Sequence, residues 1–238
     1  NYLNQLIDES LKSEANSIKF QLVYADELAT KDYKYYNLFK DLEMDLNIWQ
    51  SASDKIHENN KKLYFDIFGD HSLEVALTVG ADGVKISTTE FYNKILINKA
   101  LDNFNHIFIS IGGIEPDHID TLITDKLFKY KEKITLIYGL QAEPTLLDQN
   151  NLRKLNSFII KYPEFNFGFM DHSDGDKEES LYLSLLTICS GIKVIEKHFT
   201  LDRKLKIEDY ISGLDYLNVI DQTFTSKILI IVVITILG

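Results

Sequence analysis

The feature that most constrains this chain is a regular alternation of short apolar runs with longer segments of helical spacing. The short runs are rich in Val, Ile, Leu and Phe, as buried parallel strands are. Strands that alternate with helices form parallel sheets through right-handed crossovers. The predicted strands cover residues 17–23, 63–68, 84–88, 106–111, 134–140, 165–171 and 193–199.

The helical segments complete the pattern of an α/β fold. Seven strands separated by helices suit a (β/α)8 TIM-type barrel better than an open sheet, although one strand is missing. No Gly-rich dinucleotide fingerprint follows a strand, and no linker or internal repeat divides the chain, so we predict one barrel domain over residues 1–226. The predicted helices cover residues 3–13, 46–59, 72–79, 116–124, 149–161 and 179–189.

The apolar tail, residues 227–238, lies outside this pattern. Residues 228–237 are nearly all apolar and mostly β-branched, which favours a strand buried on both faces. The run is shorter than the ~20 residues that cross a bilayer as a helix, so we predict no membrane span. Two interpretations stay open. The tail fills the empty strand position and covers an open sheet edge, or it has no evolved role.

Charge and cysteine content argue against several classes of function. A net charge of −11 over 238 residues disfavours binding to nucleic acid or anionic membranes. The single cysteine, Cys189, excludes an internal disulfide framework and a Cys-rich zinc site. Because Cys189 lies in an apolar run, we expect it to be a buried helical thiol. These features predict a cytoplasmic location.

Polar and charged side chains collect at the carboxyl ends of the predicted strands. The last strand begins with Val194 and Ile195 and runs directly into Glu196, Lys197 and His198. Burying ionisable groups costs desolvation energy, so they indicate either a function or an ion-paired strand end. Active sites of (β/α)8 barrels lie at this end of the strands. The strand-end residues are Lys19, Gln21, Asp66, Lys85, Thr88, Thr89, Ser110, Tyr138, Gln141, Asp171, His172, Glu196, Lys197 and His198.

Three lysines, Lys19, Lys85 and Lys197, lie within apolar strands, where an unpaired charge is costly. Two explanations stay open. Each lysine can pair with a strand-end carboxylate. Alternatively, lysines from different strands converge on one mouth and form a cradle for phosphate or carboxylate. We favour the cradle.

Two strand-end histidines, His172 and His198, form a second candidate site. Neighbouring strands lie ~4.8 Å apart, so imidazoles at matched heights can share a metal ion. Two histidine ligands without thiolates leave positions open for water and substrate oxygens, which suits Mn²⁺, Mg²⁺ or Zn²⁺ in catalysis. We therefore predict metal ligation by this pair.

The motifs at these strand ends resemble those of the N-acetylneuraminate (sialic acid) synthases and their relatives that make other nonulosonic acids. The most specific motif is VIEKHFTLDR at residues 194–203. The supporting motifs follow in the expected order over roughly residues 3–212. They are IKFQ at 18–21, GADGVKI at 80–86, PT at 144–145 and GFMDH at 168–172.

The resemblance implies a metal-dependent synthase. Members of that family are (β/α)8 barrels, usually followed by an antifreeze-like domain, and condense phosphoenolpyruvate with an N-acetylated hexosamine such as N-acetylmannosamine, releasing phosphate. His172 and His198 would hold the divalent metal, commonly Mn²⁺ with Mg²⁺ as the alternative. The candidate catalytic residues are Lys19, Glu196 and Asp209. The candidate substrate-binding residues are Lys19, Gln21, Lys85, Thr88, Ser110, Gln141 and Lys197.

The chain also departs from the family pattern. The family begins with a strand that carries a glutamate, and this chain starts after that strand. The antifreeze-like domain, which donates an arginine to the partner's site in a homodimer, is absent. Met170 and Tyr210 replace residues common in relatives. We therefore expect a truncated member, and a catalytically impaired fragment that retains ligand or metal binding is the alternative.

Another phosphoenolpyruvate-using aldol-type synthase, such as those that make heptulosonate or octulosonate phosphates, is a further alternative. Such enzymes need additional arginines for a sugar phosphate, and this chain has only Arg153 and Arg203. The scarcity of arginine favours an unphosphorylated sugar. The sequence does not identify which N-acetylated sugar is used.

Overall fold

Eight parallel strands close into a barrel in the computed structural model, which describes residues 2–206, 209–214 and 229–234. The strands are β1 (Ser17–Gln21), β2 (Lys62–Ile67), β3 (Gly83–Ile86), β4 (Ile107–Ser110), β5 (Ile134–Tyr138), β6 (Asn166–Asp171), β7 (Val194–His198) and β8 (Leu229–Ile234). They pair in sequence order around the barrel, and β8 pairs with β1. The predicted α/β barrel is confirmed.

Helices connect the strands on the outside of the barrel. They are α1 (Tyr2–Lys12), α2 (Ala25–Leu28), α3 (Tyr36–Asp41), α4 (Leu46–Glu58), α5 (Asp70–Thr78), α6 (Lys94–Asn103), α7 (Pro116–Leu122), α8 (Leu152–Lys161) and α9 (Glu179–Cys189). Short 3₁₀ and π turns cover Thr88–Glu90, Ile123–Leu127, Phe128–Lys133, Asp148–Asn150 and Arg203–Leu205. The helices α2, α3 and α6 are additional to the predicted ones.

The apolar tail supplies the strand that closes the barrel. Strand β8 lies between β7 and β1 and runs parallel to both. Ile231 pairs with Ser17 of β1, and Val233 pairs with His198 of β7. The prediction that the tail fills the empty strand position is therefore confirmed over Leu229–Ile234. The predicted boundary at residue 226 lies outside the described residues.

Alternation along the strands separates an apolar layer in the barrel interior from a charged layer above it. Tyr64 and Val194 belong to an inner apolar cluster, and Asp66 and Glu196 follow them two residues later in β2 and β7. Because side chains two residues apart share one face of a strand, these carboxylates also point into the barrel, nearer its carboxyl-terminal mouth. The inner cluster contains Tyr64, Phe108, Ile137, Met170, Val194 and Ile231.

The orientation of α9 corrects one prediction. Ser180, Leu183, Ser184 and Thr187 form its buried face, whereas Cys189 is exposed. A helix turns by about 100° per residue, so a position two residues after a buried one faces away from the barrel. The expectation of a buried thiol is therefore wrong. Within the described ranges, no helix is long and apolar enough to cross a membrane.

Candidate active site at the mouth of the barrel

Four buried ionisable side chains alternate in charge across the barrel interior. Nζ of Lys85 lies 2.5 Å from Oε1 of Glu196, and Nζ of Lys19 lies 3.5 Å from the same oxygen. Lys19 also bonds Oδ2 of Asp66, whose Oδ1 is 4.0 Å from Lys85. We refer to Lys19, Asp66, Lys85 and Glu196 as the ion-pair ring.

The electrostatics of the ring keep Lys85 and Glu196 charged. Burial alone would raise the pKa of Glu196, but Lys19 and Lys85 lower it below its usual range. Burial alone would lower the pKa of Lys85, but Glu196 and Asp66 raise it above its usual value. Oδ1 of Asp66 and Oε2 of Glu196 nevertheless have no hydrogen-bond partner among the described residues. Each carboxylate therefore keeps an oxygen that can accept a further donor.

Lys197 lies on the other face of β7. Glu196 and His198 point into the barrel, so Lys197 between them points outward, where Nζ is 2.8 Å from Oδ2 of Asp171. Ser173 and Ser184 donate further hydrogen bonds to Asp171. The structure thus pairs all three strand lysines with carboxylates. It separates Lys197 from the other two, and its role in substrate binding stays a prediction.

The two predicted metal ligands lie side by side. The ring centroids of His172 and His198 are 4.9 Å apart, and both side chains are buried. Burial, followed by the neighbouring cationic groups, lowers the pKa of each imidazole to about 3. Both rings are therefore neutral at pH 7, which is the form that binds metal ions.

The surroundings of this pair suit an open metal site. Nδ1 of His172 has no hydrogen-bond partner in the part of the chain that the structure describes. Nδ1 of His198 lies 3.2 Å from Oδ2 of Asp209, which places the third predicted catalytic residue beside the pair. No group of three or more metal-capable His, Cys, Asp or Glu side chains forms among the described residues. The two imidazoles are candidate ligands, and metal binding by this pair stays a prediction.

A pocket of about 340 Å³ opens at the mouth, above the ion-pair ring. Gln21 and Gln141, both predicted to bind substrate, contribute to its wall, and Asp66 connects it to the ring. Leu28 and Phe39 from α2 and α3 form an apolar side. A larger cleft of about 740 Å³ lies near α4 and α5 and contains no member of the ring. The smaller pocket is therefore the candidate substrate site.

The remaining predicted residues lie close to this pocket. Oγ1 of Thr88 is 2.7 Å from Oγ of Ser110, so the ends of β3 and β4 present adjacent hydroxyl groups. Sδ of Met170 accepts a hydrogen bond of 3.3 Å from Lys85 and lies 3.9 Å from Nε2 of Gln141. The thioether therefore links the ring to the pocket wall.

Sequence reasoning assigned no role to two further residues near the site. Glu143 accepts hydrogen bonds from both the backbone and the hydroxyl of Ser212. Arg203 donates to three backbone carbonyls between Tyr210 and Gly213. Arg203 belongs to the VIEKHFTLDR motif, but its partners lie at later positions that the motif does not include. Only the folded chain identifies these contacts.

The fold and the site together define a class: a (β/α)8 barrel with a buried, ionisable site at the carboxyl ends of its strands. The model of the NeuB family matches residues 6–221. The chain belongs to the NeuB family.

Individual relatives agree with this assignment. The spore coat polysaccharide biosynthesis protein SpsE of Bacillus subtilis is 24% identical over 217 residues, which cover 86% of this chain and 57% of SpsE. The N,N'-diacetyllegionaminic acid synthase of Campylobacter jejuni is 24% identical over 90% of this chain and 67% of that protein. The chain thus spans little more than half the length of SpsE.

A solved structure supports the fold at higher identity. The crystal structure of N-acetylneuraminic acid (sialic acid) synthetase from Leptospira borgpetersenii, in complex with citrate, is 26% identical and has a TM-score of 0.84. The match covers 93% of this chain and 75% of that one. The structure of SpsE from Bacillus subtilis has a TM-score of 0.79 at 22% identity, which concerns the fold alone.

Proposed function

We propose that this chain is a nonulosonic acid synthase that condenses phosphoenolpyruvate with an unphosphorylated N-acetylated hexosamine and releases phosphate. The observation that carries the proposal is that three features lie together at the mouth of the barrel. They are the ion-pair ring, two neutral histidines and a pocket lined by amides. Family membership and relatives named as legionaminic acid and pseudaminic acid synthases support the reaction class.

The ring supplies cations for an anionic substrate. The ammonium groups of Lys19 and Lys85 lie inside the barrel, each beside a carboxylate of the ring. An arriving phosphate or carboxylate competes with Asp66 and Glu196 for the same donors. The hydroxyl groups of Thr88 and Ser110 add neutral donors at the rim. Together these groups suit phosphoenolpyruvate, which carries both a phosphate and a carboxylate.

The charge of the pocket favours a sugar without phosphate. Glu27, Asp66 and Glu90 line it, and no lysine or arginine does so among the described residues. A sugar phosphate would meet three carboxylates without a cation to neutralise it. The amides of Gln21 and Gln141 suit hydroxyl and acetamido groups, since an amide both donates and accepts hydrogen bonds. N-acetylmannosamine or a related sugar fits this chemistry.

A divalent metal, most simply Mn²⁺ with Mg²⁺ as the alternative, completes the proposal. His172 and His198 would hold it, because both imidazoles are neutral and Nδ1 of His172 has no protein partner among the described residues. When bound, such an ion supplies Lewis-acid polarisation of a substrate oxygen. Asp209 orients His198 through Nδ1. Glu196 holds the ammonium groups in place beneath the substrate. We also propose that the chain is cytoplasmic and forms a homodimer.

The test combines the purified chain with Mn²⁺, phosphoenolpyruvate and N-acetylmannosamine, and measures phosphate release and the C–C-coupled product. N-acetylmannosamine 6-phosphate is the comparison substrate, because it differs from N-acetylmannosamine only by its phosphate. We expect turnover with the neutral sugar, at least tenfold less with its phosphate, and none in His198→Ala. Equal turnover with both sugars would contradict the argument from pocket charge. Mn²⁺ binding without turnover on either sugar would instead support the catalytically impaired fragment.

A further inference from the structure

The contact between Asp209 and His198 depends on the short segment that carries Asp209. We refer to residues 209–214 as the Asp209 segment. Its backbone bridges the end of β7 at Leu214, which donates to the carbonyl of His198 and accepts from the amide of Thr200. Asp209 lies five residues before that bridge, so other contacts must set its position.

Arg203 holds the Asp209 segment from one side. Its Nη1 donates to the carbonyl oxygens of Tyr210 at 2.7 Å, Ile211 at 2.9 Å and Gly213 at 2.5 Å. Three carbonyl dipoles converge on one nitrogen, an arrangement that a positive charge stabilises. Acidic residues orient the other edge of the guanidinium. Nε donates to Asp176 at 3.0 Å, and Nη2 donates to Asp174 at 3.3 Å.

The loop beneath Arg203 allows this close approach. The amide of Gly175 donates to the carbonyl of Ile211 at 2.8 Å. A Cβ atom at Gly175 would lie 2.2 Å from Nη1 of Arg203 and 2.7 Å from the carbonyl oxygen of Gly213. Only glycine therefore lets the loop, the guanidinium and the segment meet. The contact is built from three parts of the chain rather than from a lone surface arginine.

Glu143 holds the segment from the opposite side. It lies in the loop after β5, two residues beyond Gln141 of the pocket wall. Its Oε1 accepts the backbone N–H of Ser212 at 3.0 Å and also the Ser212 hydroxyl. Both donors bind the same carboxylate oxygen, so one side chain holds Ser212 at two points. The segment is thus fastened between Arg203 and the rim of the substrate pocket.

We propose that Arg203 and Glu143 are positioning residues that hold the Asp209 segment so that Asp209 fixes the orientation and tautomer of His198. The proposal deepens the proposed function, because it rests on the assignment of His198 and Asp209 to the site. A carboxylate at Nδ1 keeps the proton on that nitrogen and so favours the tautomer whose lone pair is on Nε2. Loss of the Arg203 contact or of the Glu143 contact loosens Asp209 and weakens the preference of His198 for the Nδ1–H tautomer.

The primary test reads the tautomer of His198 directly. Long-range ¹H–¹⁵N NMR spectra of the metal-free 238-residue chain are recorded, with the His198 signals assigned by their loss in His198→Gln. We expect the Nδ1–H tautomer in the wild type and a mixture in Arg203→Gln and Glu143→Ala. Arg153→Gln is the matched control, since Arg153 is the chain's other arginine and lies exposed on α8. A wild-type spectrum without the Nδ1–H tautomer would overturn the proposal, whatever the synthase assay gives.

Mn²⁺ affinity provides a second, independent readout. Loss of an outer-shell partner typically weakens metal binding by about 10- to 100-fold, and we expect this loss in Arg203→Gln and in Asp209→Asn. The double variant Arg203→Gln/Asp209→Asn should bind Mn²⁺ no more weakly than either single variant, because both substitutions act through the same contact with His198. Additive losses, or unchanged affinity in Arg203→Gln, would contradict the proposal. If Arg203→Gln fails to fold, the Mn²⁺ affinities of Arg203→Lys and Ser212→Ala are measured instead. Arg203→Lys removes some of the hydrogen bonds to the Asp209 segment, and Ser212→Ala removes the hydroxyl that donates to Glu143.

Discussion

Nζ of Lys85 lies 2.5 Å from Oε1 of Glu196, and neither side chain is more than 2% exposed. The two residues belong to β3 and β7, which are not neighbours, so the pair spans the barrel interior. Lys19 and Asp66 extend it to a ring of two cations and two anions. A ring with no net charge limits the cost of burying charge above the apolar inner layer.

Removal of one charge from the ring should destabilise the fold strongly. Glu196→Gln leaves two buried lysines against one carboxylate, and breaking a buried pair in this way typically costs about 3–5 kcal/mol. The double variant Lys85→Met/Glu196→Met removes both partners and should lose clearly less. Urea unfolding of Lys85→Met, Glu196→Met and the double variant measures the difference. A double variant as unstable as the sum of its single variants would show that the pair is not coupled.

The sequence predicted the strands and the residues at their ends, but not how the charges pair. Apolar runs identify strands locally, and the period of two places Lys19 and Lys85 inside the barrel once the register is known. Whether they face carboxylates or an open cradle depends on distances between β1, β3 and β7, which no local pattern contains. The contacts of Arg203 likewise depend on how later residues fold back. Cys189 was misjudged because α9 is apolar on its exposed face as well, with Leu185 and Leu186 exposed beside it.

Substitution of either histidine of the pair should abolish tight Mn²⁺ binding. His172→Gln and His198→Gln each remove one of two imidazole ligands, and we expect at least a 100-fold loss of affinity. His118→Gln is the matched control, because His118 is exposed on α7 and contacts Tyr92 rather than either histidine of the pair. Titration with Mn²⁺ followed by electron paramagnetic resonance measures the free ion. Similar affinity in all three variants would place the metal elsewhere.

An isoleucine in β8 should be as important for stability as one in any other barrel strand. Ile231 is fully buried in the inner apolar cluster, so Ile231→Ala should cost about 2–5 kcal/mol by loss of burial and creation of a cavity. Ile160 on α8 is 81% exposed, and Ile160→Ala should change stability by less than about 0.5 kcal/mol. Thermal and urea unfolding measure both. An Ile231→Ala chain as stable as the Ile160→Ala chain would mean that β8 does not close the barrel.

The stability of the fold should also decrease in mild acid through His106, at the amino-terminal end of β4. Nδ1 of His106 lies 2.9 Å from the hydroxyl oxygen of Tyr64. Burial, and then the charge of Lys62, lower the pKa of His106, and Asp82 offsets only part of that effect. The unfolded chain therefore takes up this proton first as the pH falls below about 6.5.

The contribution of neutral His106 is fully present above that pH and is lost progressively below it. The slope for one proton is at most about 1.4 kcal/mol per pH unit. Because His106→Gln cannot take up a proton, its free energy of unfolding should fall less than that of the wild type between pH 7.5 and pH 5.5. Urea unfolding of both proteins at the two pH values measures this double difference, in which the titration of the carboxylates cancels. A double difference of zero would mean that His106 does not couple folding to protonation.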